Sequence, residues 1–166
     1  MPPEDPNTAA SAAAPVMAPE PLREYNFIVD LGDGDQVLFT ECHGLGARVN
    51  PIRFRAGGAG ETVRYLTGRV DYSEATFRYG VTRSAGVLWD WFRGSMRGSV
   101  QRREVSVVML KPDGVAPEYQ INLSGAWISQ LVVAPLRATG NAAAIEEIKL
   151  VYEGLERADA SVAPQA

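Results

Sequence analysis

The chain has 166 residues, 46% of them hydrophobic, so it has the length of one domain and enough apolar side chains to build a core. Its formal net charge of -4 equals the contribution of four acids near the termini, Glu4, Asp5, Glu20 and Asp159, and the rest of the chain is balanced. A balanced domain lacks the net positive field of a dedicated nucleic-acid binder, and no apolar run is long enough for a membrane-spanning helix.

The first 22 residues differ in composition from the rest. They contain six Pro, six Ala and no aromatic or basic residue, which is too little apolar surface to offset the entropy lost on ordering. Glu4 and Asp5 stand where a signal peptide carries positive charge, so we expect no signal peptide. We predict a flexible N-terminal tail over 1–22, a β domain over 23–157 and a flexible C-terminal tail over 158–166.

Two alternating segments open the predicted domain. Residues 25–31 place aromatic and aliphatic side chains on one face, and residues 36–42 follow an acidic, Gly-rich link, which predicts a hairpin. A calcium loop starting at Asp33 would need a carboxylate at its twelfth position, and Gly44 stands there instead. A turn is therefore the better interpretation of the link.

The residue types that carry catalysis or bind metals do not converge. Cys42 and His43 are the only Cys and His of the sequence, and neighbours on a strand face opposite sides, as do Glu146 and Glu147. The Gly-rich loop 56–60 lacks the Lys and Ser/Thr of a phosphate-binding loop. We therefore predict no catalytic residue, no metal, no cofactor and no enzymatic activity.

A long hairpin is predicted around that Gly-rich loop. Residues 48–55 alternate, with Ile52 and Phe54 on one face, although Pro51 indicates an edge strand or a bulge. A second Arg-bearing segment follows the loop. Fourteen of the 16 basic residues are Arg, which suits bidentate pairing at packed interfaces and equally fits a GC-rich genome.

The hydrophobic period then changes from two residues to 3.6. Residues 75–80 alternate as a half-buried strand, and after Gly80 we predict an amphipathic helix capped by Ser84. Trp89 lies off the apolar arc of this helix, so it either packs under a neighbouring loop or faces another subunit. The arc consists of Val87, Leu88, Trp91 and Phe92.

The remaining segments read mostly as strands. After a predicted loop at 94–98, residues 103–111 are apolar on both faces and should form a central strand. Residues 118–124 and 126–133 continue the meander, with Trp127 as the anchor of the second. Residues 142–155 fit a helix or a strand from their pattern alone. The sum predicts a mainly β fold, an antiparallel barrel or sandwich with one short helix.

Seven segments occur in an order typical of one family. They are FTECHGL at 39–45, GG at 57–58, YLTG at 65–68, FRYGVT at 77–82, LWDW at 88–91, ATGN at 138–141 and EGL at 153–155. Together they resemble the tail-tube protein family of contractile phage tails and extracellular contractile injection systems, with the Hcp protein of type VI secretion as a more distant structural relative. The resemblance covers about residues 23–156.

The resemblance implies a tail-tube or Hcp-like barrel, which makes residues 142–155 a strand. It also implies homohexameric rings that stack into a hollow tube for cargo, inside a sheath protein and on a baseplate or tube-initiator protein. Such a particle, a phage tail or an extracellular injection particle, assembles in the bacterial cytoplasm. Because the family's hairpin contacts the next ring, the expected interface residues are Arg48, Arg53, Arg55, Gly57, Gly58, Gly60, Arg64, Arg69 and Trp89.

Three alternatives remain open at this point. The chain could be the single-ring tube initiator that joins the tube to the baseplate, since these relatives share the same motifs. In a different class, it could be a monomeric β-sandwich binding module. The arginines of the hairpin could equally form a solvated polar face.

Overall fold

The computed structural model describes residue 24 and residues 26–32, 37–55 and 63–159. A short 3₁₀ turn, Arg83–Ala85, precedes the helix. The strands are β1 (Phe27–Asp30), β2 (Phe39–His43), β3 (Ala47–Phe54), β4 (Arg64–Tyr72), β5 (Ala75–Gly80), β6 (Arg103–Leu110), β7 (Pro117–Val132), β8 (Ile145–Val151) and β9 (Gly154–Asp159), and the helix is α1 (Gly86–Met96).

One long strand, β7, joins the two halves of the main sheet. The main sheet is antiparallel and has the order β1-β6-β7-β8-β5-β2, with β9 also on β7. The first part of β7 pairs with β6 and β9, and residues 127–132 pair with β8. Gly125 lies between the two parts with a φ of 63°, a value that glycine adopts without strain. The sheet therefore continues through β7 from one half of the domain to the other.

Both halves and the helix contribute to one hydrophobic core. In β5 each buried side chain alternates with a partly exposed one, as expected for a strand with one face on the core. Trp91, on α1, is 1% exposed and has the largest side chain in this core. The other large side chains with less than 2% exposure are Tyr79, Phe77, Leu31, Leu88, Leu123, Ile128, Ile148, Leu150, Val29 and Val105.

The main sheet ends in two strands that each have one neighbour. Among the described strands, β1 pairs with β6 alone and β2 with β5 alone. Phe27 of β1 and Cys42 of β2 line one cleft of about 570 Å³, so the two end strands face each other across this gap without pairing. Each of them keeps one edge of backbone donors and acceptors that no described strand pairs.

The predicted hairpin of residues 25–31 and 36–42 is wrong. β1 pairs with β6, with Val29 opposite Val107, and β2 pairs with β5, with Cys42 opposite Phe77. The alternation of residues 25–31 correctly indicated a buried face, because Val29 and Leu31 are buried. The strand with which β1 pairs lies far along the chain and could not be read from this local pattern.

The helix begins and ends differently from the prediction. Its N-cap residue is Ala85, which has no capping side-chain hydrogen bond, and Ser84 lies in the 3₁₀ turn, so the predicted Ser84 cap is wrong. The helix also continues to Met96, so residues 94–96 are helical rather than part of a loop. The predicted apolar arc is confirmed at its centre, where Leu88 and Trp91 are buried.

The C-terminal half of the chain holds one further correction. Residues 118–124 and 126–133 do not form two strands, because β7 runs through both. Ala126 and Ile128 are 0% exposed, whereas Trp127 between them faces the opposite side and is partly exposed, so the prediction of Trp127 as anchor is wrong.

The strand implied for 142–155 by the resemblance is confirmed in β8, which pairs with β5 and β7. A second strand, β9, then continues to Asp159 and pairs with the first part of β7. The central position predicted for 103–111 is also confirmed, since β6 lies between β1 and β7.

Candidate assembly surface

A two-stranded antiparallel sheet made of β3 and β4, here called the ribbon, stands apart from the main sheet. Among the described strands, β3 and β4 pair only with each other. Their register is shifted between Val49 and Pro51, which confirms the edge or bulge that Pro51 predicted. All but two of the 17 ribbon residues are exposed. A two-stranded sheet without further packing is only marginally stable in water. The ribbon therefore has the exposure expected of an element that is completed by another molecule.

The base of the ribbon is fixed to the core by Tyr152. Its hydroxyl donates to the Gly46 carbonyl oxygen and accepts from the Gly46 amide, each at 3.0 Å, and its ring lies 5.6 Å from that of Tyr72. Burial raises the pKa of Tyr152, so the hydroxyl remains protonated and able to donate at neutral pH. The Ser73 amide also donates to the Gly46 carbonyl oxygen, at 3.0 Å. These hydrogen bonds and the ring contact join the base of the ribbon to the core.

Apolar side chains of the ribbon are exposed in cross-strand pairs. Val49 lies opposite Val70, and Ile52 lies opposite Leu66, and all four are about half exposed. Directly paired residues share a face of the ribbon, so each of the two pairs places two apolar side chains side by side. Contiguous exposed apolar side chains of this kind mark an interaction surface. The exposed large apolar residues of the ribbon are Val49, Ile52, Phe54, Tyr65, Leu66, Val70 and Tyr72.

The structure brings most of the predicted interface arginines together on this ribbon. Arg48, Arg53, Arg64 and Arg69 are exposed there, and Arg55 follows the end of β3. The Arg53 guanidinium lies 5.9 Å from the centre of the Tyr65 ring. Within the described part of the chain, no carboxylate lies within ion-pair distance of Arg48, Arg64 or Arg69. These charges are therefore available to acids on another molecule.

Other predicted interface residues lie elsewhere. Gly57, Gly58 and Gly60 fall outside the described residues. Trp89 is on α1, partly exposed, and does not belong to the ribbon. The apolar part of the surface was not predicted from the sequence, where Ile52 and Phe54 were placed on one face of a strand. The missed signal is that Arg and apolar residues alternate over residues 52–55 of a predicted hairpin, so the apolar side chains share one face.

A tight backbone contact holds the bulge of the ribbon. A side chain on Gly68 would clash with the Asn50 carbonyl oxygen, so glycine is the residue that fits there. The Asn50 amide also donates to the Asp71 carboxylate on the neighbouring strand. The shape of the ribbon thus depends on Gly68.

Cys42 and His43 are neighbours on β2, and both line the cleft between the two end strands. Cys42 packs against the core, and burial raises its pKa to about 12, so the thiol is protonated and a poor nucleophile at neutral pH. His43 is exposed. In the ranges that the structure describes, no group of three or more His, Cys, Asp or Glu residues is arranged to hold a metal ion.

Glu146 and Glu147 face opposite sides of β8, as predicted. The Tyr79 hydroxyl donates to the buried Glu146 carboxylate at 2.7 Å, and burial followed by this hydrogen bond raises the pKa of Tyr79. On the other face, Arg78 pairs with Glu147 at 2.9 Å and with Glu41 at 3.0 Å. Each acid therefore has its own partner on its own face of β8.

The comparison with family models gives one match that covers most of the chain. Residues 23–156 match the family model described as T4-like virus tail tube protein gp19. A comparison with curated protein sequences gives no match.

Solved structures share the fold at low sequence identity. A chain of the anti-feeding prophage cap, described as the AFP tube terminating cap, is 24% identical with a TM-score of 0.79, covering 90% of this chain and 99% of that one. A chain of the PVC sheath-tube complex in its extended state is 24% identical with a TM-score of 0.75, covering 84% and 92%. Hcp1 from Salmonella typhimurium is 10% identical with a TM-score of 0.52, covering 79% and 83%.

Proposed function

The chain belongs to the T4-like virus tail tube protein family, and from that premise we propose that it is the repeated subunit of an inner tube, in which hexameric rings stack into a hollow conduit for cargo. The observation that supports stacking is the ribbon, whose apolar side chains are half exposed in the isolated subunit. Covering them requires another molecule, and a second copy of the chain is the partner that a tube supplies.

Ring closure has a separate structural basis in the end strands of the main sheet. In the part of the chain that the structure describes, β1 and β2 each have one strand neighbour. Neighbouring copies can add strands at such edges through main-chain hydrogen bonds. We propose that the six subunits of a ring join their sheets in this way into a continuous lumen wall.

The proposed role is structural and non-enzymatic, and the proposed partners are a sheath protein, a baseplate or tube-initiator protein and cargo in the lumen. The support for a sheath partner is the likeness to a chain of the PVC sheath-tube complex. We propose assembly in the bacterial cytoplasm into a phage tail or an extracellular injection particle. No helix among the described residues is long and apolar enough to cross a membrane.

The second candidate is a single-ring role at one end of the tube. It is supported by the likeness to a tube terminating cap, with a TM-score of 0.79. The number of copies per particle separates the two roles, because a repeated subunit fills every ring and an end protein fills one.

We expect quantitative mass spectrometry of intact particles to count many rings of this chain, in proportion to particle length. A baseplate protein measured in the same sample is the matched control and should stay constant as length varies. A single ring of copies, independent of length, would contradict the repeated-subunit role and leave the end-ring role.

A further inference from the structure

The cleft between the end strands β1 and β2 leaves part of the hydrophobic core incompletely covered. Phe27, Met109 and Tyr119 are cross-strand partners, so their side chains share one face of the sheet, and all three line this cleft. They are only partly buried, whereas Val29 on β1 is 1% exposed and Phe77 on β5 is 0% exposed. The partly buried apolar and thiol side chains of the cleft are Phe27, Cys42, Leu45, Met109, Tyr119 and Ile121.

The N-terminal part of the chain reaches the domain at this cleft. Glu24, the first described residue, lines the cleft together with four consecutive residues of β2. Residues 15–22, PVMAPEPL, therefore start next to it, and a fully extended segment of that length spans about 26 Å. The tether keeps this segment at a high local concentration, which favours it over a second copy of the chain. The match to the tail tube family begins at residue 23, so the segment lies outside the shared part.

The sequence of this segment suits an extended strand that pairs along one edge only. Pro15, Pro19 and Pro21 occupy alternate positions with Met17, so in a strand all four side chains share one apolar face. The amides of these positions point to one edge, and proline has no amide hydrogen, so that edge lacks three of its four donors. The even-numbered residues keep all their amides on the other edge. The segment can therefore extend a sheet by one strand and then end it.

We propose that residues 15–22 lie in the cleft of their own subunit as an extended strand on the free edge of β2. Met17 and the prolines then cover the partly buried core side chains, and the one charged residue of the segment, Glu20, lies on its opposite face. The partner is β2 because four of its residues, 40–43, line the cleft, whereas β1 contributes Phe27 alone. The flexible tail predicted over 1–22 is then limited to residues 1–14.

The docked segment occupies a strand edge that the proposed ring closure needs. This consequence rests on the proposed function, whereas the docking itself does not. In a single subunit the segment covers the edge of β2 and so suppresses pairing with other copies. In a ring the neighbouring subunit displaces the segment, so rings form at a higher concentration than they would without it.

Cys42, the only thiol of the chain, reports whether the cleft is covered. The full chain and its Met17→Asp variant are treated with N-ethylmaleimide at low protein concentration, and intact-mass spectrometry measures the rate of alkylation. Met17→Asp places a charge on the apolar face of the segment, so we expect it to release the segment and raise the rate about tenfold. Ala18→Asp is the matched control: it adds the same charge at the next residue, on the opposite face, and should leave the rate unchanged.

Equal alkylation rates for the unmodified chain and Met17→Asp would overturn the docking, and so would an equal rise in both variants. Below the concentration at which rings form, protection of Cys42 should not depend on protein concentration, because the segment belongs to the same chain. Protection that increases with concentration in that range would show that a second copy fills the cleft, which also overturns the docking.

Electron microscopy of the same three proteins tests the competition with ring closure separately. Met17→Asp should form rings at a concentration about tenfold lower than the unmodified chain and Ala18→Asp. An unchanged concentration would overturn the competition and leave the docking in place. If Cys42 is protected as expected but none of the three proteins forms rings at any concentration, the proposed function fails while the docking stands.

Discussion

Replacing Trp91 by alanine is expected to lower the free energy of unfolding by about 3–5 kcal/mol. The Trp91 side chain is 1% exposed, and its indole nitrogen donates to the Gln101 carbonyl oxygen at 2.7 Å. The Arg103 guanidinium lies 4.9 Å from the ring centre. The variant leaves a large cavity under α1 and removes a hydrogen bond, and a typical domain has only about 5–15 kcal/mol of stability to lose. Urea denaturation followed by circular dichroism measures the change.

Trp89→Ala is the matched control for this prediction. The two tryptophans lie on the same helix, but Trp89 is partly exposed, so its loss should cost about 1 kcal/mol or less. Equal losses for Trp91 and Trp89 would show that the assignment of one side chain to the core and the other to the surface is wrong.

Replacing Gly68 by alanine is expected to abolish tube formation while the main domain stays folded. The new methyl group would clash with the Asn50 carbonyl oxygen, which is backbone and cannot rotate away, so β3 and β4 must separate at the bulge. The ribbon pairs with no other described strand, so its distortion should leave the core intact. Sedimentation velocity measures the loss of tubes, and thermal unfolding measures the core.

Gly86→Ala is the matched control here, because no atom lies within 4 Å of the position that its new methyl group would occupy. This variant should form tubes normally, because Gly86 is the first residue of α1 and alanine has a higher helix propensity than glycine. If Gly68→Ala also forms tubes of normal length, the shape of the ribbon does not control stacking.

Local patterns in the sequence predicted the buried faces well. The alternation of residues 75–80 gave the buried Phe77 and Tyr79, because a strand with one face on a core must alternate. The strand at β8 needed the family resemblance as well, since Ile145 and Ile148 also fit a helical spacing.

Pairing and assembly could not be predicted in the same way. β1 finds its partner in β6, about 80 residues later, and its alternation carries no information about which strand that is. Ile52 and Leu66 look like core residues in the sequence, because burial against a second molecule selects the same apolar side chains as burial within the chain. The sequence therefore predicted which residues are apolar, and the structure was needed to show that the monomer leaves them uncovered.

Imaging the purified full chain by electron microscopy over a range of concentrations tests whether this chain assembles with itself into a tube wall. We expect six-fold rings at low concentration and stacked, hollow tubes of variable length at high concentration. Uniform particles of one subunit at every concentration, which also failed to assemble when sheath and baseplate proteins were added, would contradict it.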